Sequence, residues 1–123
     1  MGQGARSVLV VDDNAQMRQA LTFVLEAEGY SVMVAGDGLE ALARLREDLM
    51  PGVILLDLRM PNMDGPAFRR HQLDDPRLAD IPVVVCSGEC TGEETALRLG
   101  SDGYLAKPLD VDRVLEVVQR FCP

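Results

Sequence analysis

The sequence predicts a doubly wound α/β domain, a five-stranded parallel sheet flanked by five helices. Three observations carry that prediction. Short apolar runs such as Val8-Leu9-Val10-Val11 and Val53-Ile54-Leu55-Leu56 are continuous rather than alternating, as suits strands buried on both faces. Segments with helical spacing lie between the runs. The two kinds of segment take turns along 123 residues, a length that suits one domain and is too short for two.

The first run, Val8 to Val11, is a strand that ends on Asp12-Asp13. Met17, Leu21, Val24 and Leu25 then fall on one helical stripe, and Gly29 suits the left-handed end of that helix. Tyr30 to Val34, with Val32 and Val34 on one side, reads as the second strand, followed by a helix striped by Leu39, Leu42, Leu45 and Leu49. Val53 to Leu56 is the third strand and ends on Asp57. A third helix starts near Asp64, where Pro66 fits a first helical position. Ile81 to Cys86 is the fourth strand and ends on Ser87-Gly88. Glu93 to Leu99 forms a short helix, and Gly103-Tyr104-Leu105-Ala106 a short last strand. Val111, Val114, Leu115, Val118 and Cys122 stripe the final helix, with Asp110 as N-cap and Arg120 in the last turn, where it complements the helix dipole. Right-handed crossovers put these helices on both faces of one flavodoxin-like sheet, over a single domain at residues 7–122. The last helix closes the chain, so no output domain is expected in it.

Twelve basic residues against twenty acidic give a net charge of −8, which repels phosphate backbones and anionic lipid. Direct nucleic-acid binding is not expected. No apolar run approaches the roughly 20 residues that span a bilayer, and the apolar stretch at Val8 breaks at once on Asp12-Asp13, unlike a secretory leader. The reading is cytoplasmic, with no membrane partner. Cys86, Cys90 and Cys122 have neither zinc-site spacing nor an even disulfide framework, so reduced thiols are expected, Cys86 in the core and Cys90 in a loop.

A doubly wound sheet puts its site at the carboxyl ends of the strands. Here those ends carry Asp12-Asp13, Asp57, Ser87 and, after the fifth strand, Lys107-Pro108. Three carboxylates in one crevice repel each other and raise one another's pKa, a cost that a hard, oxygen-loving cation removes. Mg²⁺ is the natural occupant, with Mn²⁺ as its substitute. The adjacent pair suits metal holding, whereas Asp57 stands alone on a central strand and is the candidate nucleophile. Its carboxylate can attack phosphorus to form an acyl phosphate while Lys107 neutralises charge on the transferring oxygens. Ser87 could then hydrogen-bond the bound phosphoryl group and start a conformational signal.

Together, Val11-Asp12-Asp13-Asn14, Leu55-Leu56-Asp57-Leu58-Arg59-Met60-Pro61-Asn62-Met63-Asp64-Gly65, Val85-Cys86-Ser87-Gly88 and Tyr104-Leu105-Ala106-Lys107-Pro108 resemble the receiver domains of two-component response regulators. The similarity runs from about Val8 to Phe121, and the ordered set is specific where each piece alone is not. The resemblance implies Asp57 as phosphoacceptor, and metal ligation by the Asp13 and Asp57 side chains with the Arg59 backbone carbonyl. Asp12 would act mainly through water. It further implies Ser87 as switch hydroxyl, Tyr104 as an aromatic that turns inward on activation, and Lys107 as a phosphoryl contact. The phosphodonor would be a sensor histidine kinase or phosphotransfer protein, with a downstream protein as the other partner. The chemistry would be self-catalysed phosphorylation and dephosphorylation rather than enzymatic turnover. Arg59 and Glu89, two residues after Asp57 and Ser87, resemble sites that tune the lifetime of the phosphorylated state, and their opposite charges could meet over the crevice.

One departure from the family concerns the stretch from Gly88 to Gly100, which is short and holds Gly88, Gly92 and Gly100, so the fourth helix is expected to be abbreviated. His71 lies well along the third helix, away from the strand ends, and reads as a solvated imidazole. Met60 and Met63 read as loop packing. Three other functions share parts of the pattern. A haloacid-dehalogenase-like phosphohydrolase would need a D-x-D nucleophile motif after the first strand, where this chain has Asp12-Asp13-Asn14. An FMN carrier of this topology would need a phosphate loop there, and the acidic pair repels phosphate. A phosphorylation-independent interaction module would gain no phosphate.

Overall fold

The computed structural model describes residues 6–47 and 50–123. Among the described residues, strands and helices alternate throughout: β1 (Ser7–Val11), α1 (Ala15–Ala27), β2 (Ser31–Ala35), α2 (Gly38–Leu45), β3 (Val53–Asp57), α3 (Gly65–Asp74), β4 (Val83–Ser87), α4 (Gly92–Arg98), β5 (Gly103–Ala106) and α5 (Val111–Phe121). The strands form one parallel sheet in the order β2-β1-β3-β4-β5. Chain direction across the sheet reverses between β1 and β3, which makes their carboxyl ends the topological switch point.

Burial follows position in the sheet. All five residues of β1 and of β4 are buried, and four of the five in β3, which accounts for their unbroken apolar runs. On one face Val8, Val10, Leu55 and Val84 pack with Leu21 and Leu25 of α1 and Val114, Val117 and Val118 of α5. On the other, Leu9, Val11, Ile54 and Leu56 pack with Ala41, Leu42 and Leu45 of α2 and Phe68 of α3. Met60 and Met63 pack against the rim of this second core.

Caps set the helix starts. The side chains of Asn14, Asp37, Asp64 and Asp110 accept backbone N–H bonds from Met17, Glu40, Ala67 and Asp112. Gly29 has φ 92, the left-handed conformation expected after α1, and its N–H bonds back to the Glu26 carbonyl.

Several boundaries differ from the sequence reading. Leu39 is 52% exposed and Val111 50% exposed, so neither belongs to its helix's buried stripe. The inner face of α2 begins at Gly38 and continues through Ala41, Leu42 and Leu45, while Val117 joins α5's inner face. Strand β4 starts at Val83 rather than Ile81, because Pro82 has no N–H for a ladder. Strand β2 is shifted one residue on, to Ser31–Ala35, and Pro66 is the second rather than the first residue of α3. Leu49 and residues 1–5 lie outside the described residues. Cys86 is buried and Cys90 exposed, as expected. Helix α4 has only seven residues, the abbreviation that its glycines suggested.

Phe68 is fully buried between α3 and the sheet. Truncation to alanine should lower unfolding free energy by about 3–5 kcal/mol, read from urea denaturation with an unchanged m-value.

Candidate functional site

The parallel register brings four strand ends to one rim. Val11 is level with Leu56, Asp57 with Cys86, and Ser87 with Ala106, so the residues that follow β1 and β5 meet around Asp57. Carboxylate oxygens of Asp12, Asp13 and Asp57 lie within 4.8 Å of one another. Asp12 is buried and Asp13 exposed, which gives the cluster a closed inner wall and an open mouth.

Asp12 is held from four directions. Its Oδ2 accepts a 2.8 Å hydrogen bond from Lys107 Nζ, and its Oδ1 accepts the Asn14 N–H at 2.9 Å. Its own N–H donates to the Ala35 carbonyl, and its carbonyl accepts from Arg18 at 2.7 Å. Lys107 Nζ also lies 3.5 Å from Asp57 Oδ2, while Asp57 Oδ1 accepts the Leu58 N–H at 2.8 Å. The ammonium therefore bridges two of the three carboxylates.

Burial raises the Asp57 pKa above the ordinary carboxylate value, against the pull of Lys107, and the nearby Asp12 charge adds to the rise. For Lys107 burial acts downward, but its hydrogen bond to Asp12 and the Asp57 charge outweigh it, and the net shift is upward. Both directions describe an ammonium locked into a carboxylate-rich, partly desolvated corner.

Ser87 is buried at the end of β4, where its hydroxyl accepts the Glu89 N–H at 3.0 Å. Its carbonyl accepts the Lys107 N–H at 2.9 Å and the Tyr104 hydroxyl at 3.3 Å. Arg59 and Glu89 form an ion pair across the mouth, with the Arg59 side chain 83% exposed. A cleft of about 590 Å³ opens here, lined by Asp13, Arg59, Met60, Asp64, Pro66 and Glu89 among others. All eight residues singled out from the sequence, Asp12, Asp13, Asp57, Arg59, Ser87, Glu89, Tyr104 and Lys107, are thus gathered at or beside this rim. His71 is exposed on α3.

The all-oxygen carboxylate set, open on one side, suits a hard divalent cation and lacks the sulfur or imidazole ligands that select softer metals. The sequence matches the family model for the response regulator receiver domain over residues 8–119. The chain belongs to the response regulator receiver family. It is 33% identical to the polar-differentiation response regulator DivK of Brucella anthropi, over 94% of this chain and 95% of that protein. It is 32% identical to the chemotaxis protein CheY4 of Vibrio cholerae, whose structure matches with a TM-score of 0.84 over 94% of this chain and 97% of that one. The receiver domain of sensor histidine kinase PA1611 from Pseudomonas aeruginosa, 27% identical, matches with a TM-score of 0.86 over 95% and 97% of the two chains. That domain holds a magnesium ion in its active site cleft. A receiver domain serves phosphorelay signalling in two-component systems and is not an enzyme in the usual sense of turning over a separate substrate. Among the described residues no helix is long and apolar enough to cross a membrane.

Two further residues of the quoted motif, given no role from the sequence, shape the rim. Asn62, at φ 65, donates to Asp37 and ties the loop after β3 to the start of α2. Gly65, named above only as the end of the quoted motif, packs directly on the backbone of the strand end. A Cβ there would lie 2.5 Å from the Asp57 carbonyl oxygen and 2.9 Å from Leu58 Cα. Neither backbone atom can swing away. Gly65→Ala should therefore destabilise the domain by about 1–3 kcal/mol or more, visible as a lower urea midpoint.

Proposed function

We propose that residues 7–122 act as a phosphoacceptor in which Asp57 takes a phosphoryl group from a histidine on a partner kinase or phosphotransfer protein. The carrying observation is the half-buried Asp57 carboxylate, held between Asp12 and the Lys107 ammonium at the end of a central strand. An Asp57 oxygen attacks phosphorus, the P–N bond of the phosphohistidine breaks, and the imidazole departs with that electron pair, leaving an acyl phosphate. Asp12, Asp13 and Asp57, with the Arg59 backbone carbonyl, would hold Mg²⁺ or Mn²⁺. Such an ion supplies countercharge to the phosphoryl oxygens.

Lys107 orients and neutralises. Its ammonium already bridges Asp12 and Asp57, so an oxygen added on Asp57 arrives within reach of a fixed donor. Ser87 exchanges its bond with the Glu89 N–H for one to the phosphoryl group, and Tyr104, tied to the Ser87 carbonyl, moves with it. Hydrolysis by water returns the domain to rest. The altered surface then engages a downstream protein. Free Cys86, Cys90 and Cys122 and the net charge of −8 favour a cytoplasmic setting with no nucleic acid or membrane contact.

Intact mass after treatment with acetyl phosphate and Mg²⁺ tests this reading. One phosphoryl group should be gained by wild type and none by Asp57→Asn, while Asp13→Asn should need clearly more Mg²⁺ to react. A gain in Asp57→Asn equal to wild type would overturn the assignment.

The Arg59–Glu89 pair lies over the mouth, where it would obstruct the attacking water. An exposed pair is worth about 0–1 kcal/mol, so removing it should speed dephosphorylation by at most about fivefold. Arg59→Ala, Glu89→Ala and the double variant should all shorten the phosphoryl lifetime, with the double no worse than the stronger single. Additive effects in log rate would show two independent side chains instead.

A further inference from the structure

The loop after β3, residues 58–64, forms one wall of the cleft through Leu58, Arg59, Met60 and Asp64. The Gly65 N–H closes its base on the Leu58 carbonyl at 3.0 Å, and the Met63 N–H folds it back on the Pro61 carbonyl at 2.6 Å. Both bonds lie within the segment itself. They shape the loop without setting where its tip stands against the neighbouring elements.

The tip is docked on the start of α2. Asn62 Nδ2 donates to Asp37 Oδ2 at 2.8 Å, and the Gly38 N–H donates to the Met63 carbonyl at 2.9 Å. The approach is close, since a Cβ at 38 would lie 2.7 Å from Met63 Cγ and 2.9 Å from the Met63 carbonyl oxygen. Asp37 faces two ways. Its Oδ1 accepts the Glu40 N–H at 2.9 Å and so already caps α2, which leaves the Oδ2 bond to Asn62 with nothing to add to that cap. The Asn62 amide, followed by the Glu40 N–H, holds the Asp37 carboxyl below its ordinary pKa. Asn62 reaches this partner from φ 65, a left-handed backbone that is uncommon outside glycine. A backbone held in that region for a bond the helix does not need points to a role in the loop.

We propose that Asp37 and Asn62 are positioning residues for the divalent cation, pinning the loop tip to α2 and so setting where the Arg59 carbonyl stands relative to the Asp13 and Asp57 carboxylates. This rests on the phosphoacceptor reading above, in which that carbonyl is a metal ligand. Neither Asp37 nor Asn62 lines the cleft or belongs to the carboxylate cluster, so both act through the backbone between 59 and 62. Divalent cations differ in how strongly they feel such placement. Mg²⁺ demands a near-octahedral set of oxygens, whereas Ca²⁺ accepts irregular sets at longer distances. Loosening the tip therefore weakens Mg²⁺ more than Ca²⁺, while loss of a charge weakens both alike.

Titration of the full chain with Mg²⁺ and, separately, with Ca²⁺, followed by amide NMR at 12–13 and 57–59, tests the tie. Asn62→Gly keeps the net charge and the left-handed backbone and removes the amide. It should weaken Mg²⁺ about fivefold and Ca²⁺ by less than about twofold. Asp37→Ser, whose hydroxyl still caps α2, should lower the ratio of Mg²⁺ to Ca²⁺ affinity in the same way, and the double variant no further than the stronger single. A merely structural tie would lower the urea midpoint of Asn62→Gly and leave its Mg²⁺ affinity at the wild-type value, and that result overturns the proposal. Equal weakening of both cations also overturns it, because that marks a lost charge or a damaged site rather than a misplaced ligand. If wild type bound Mg²⁺ and the variants bound it equally well, only the tie would fall. A wild-type chain whose 12–13 and 57–59 amides ignore Mg²⁺ would sink the metal-assisted phosphoacceptor reading and the tie together.

Discussion

Three carboxylates at one sheet rim are tolerable only because a single ammonium is threaded among them. Charges within 4.8 Å repel by about 3 kcal/mol or more per pair at the effective dielectric of a protein surface. Lys107, bonded to Asp12 and close to Asp57, offsets part of that repulsion and leaves the cluster near a net charge of −2, three negative charges against one positive. A divalent cation would match that remaining negative charge. Asp12 is secured thoroughly, as a buried charge must be, since burying one without hydrogen-bonding partners is costly.

The rest of the fold serves to hold that corner still while leaving its outer side loose. Strands β1 and β3, buried on both faces, fix the heights of Asp12 and Asp57 relative to each other. Helix α3 begins so close to the end of β3 that only glycine fits at 65. On the other side of the cleft, β4 and β5 deliver Ser87 and Lys107 in register, but the helix that follows β4 rests on a glycine and a three-residue apolar cluster.

Most of the sheet and the rim were legible in the sequence because the signals are local. Unbroken apolar runs that stop on Asp, Ser or Lys reveal both a buried parallel strand and what stands at its end. The misreadings fall where periodicity alone cannot choose a face. Leu39 and Val111 are half exposed because the buried faces run beside them, through Gly38, Ala41, Leu42 and Leu45 of α2 and through Val114, Val117 and Val118 of α5. Arg69 and Gln72 were invisible for the opposite reason. Polar residues on a helix read as surface, and their burial depends on carbonyls at 78, 81, 99 and 100 that only the tertiary fold brings near. Gly65 stood only within the quoted motif and Gly92 only among the glycines that abbreviate α4, while the close approaches that require them are contacts across the structure.

The contrast among the three cysteines has a practical side. Cys86 is enclosed, and burial pushes its pKa up to about 12, while Cys122 is buried with its pKa also raised. Only Cys90 meets solvent, three residues beyond Ser87 on the loop that leads into α4. At neutral pH a maleimide dye would attach there and nowhere else. Residues 1–123 thus carry a single exposed thiol handle for a fluorophore, placed beside the loop that joins the acidic rim to α4.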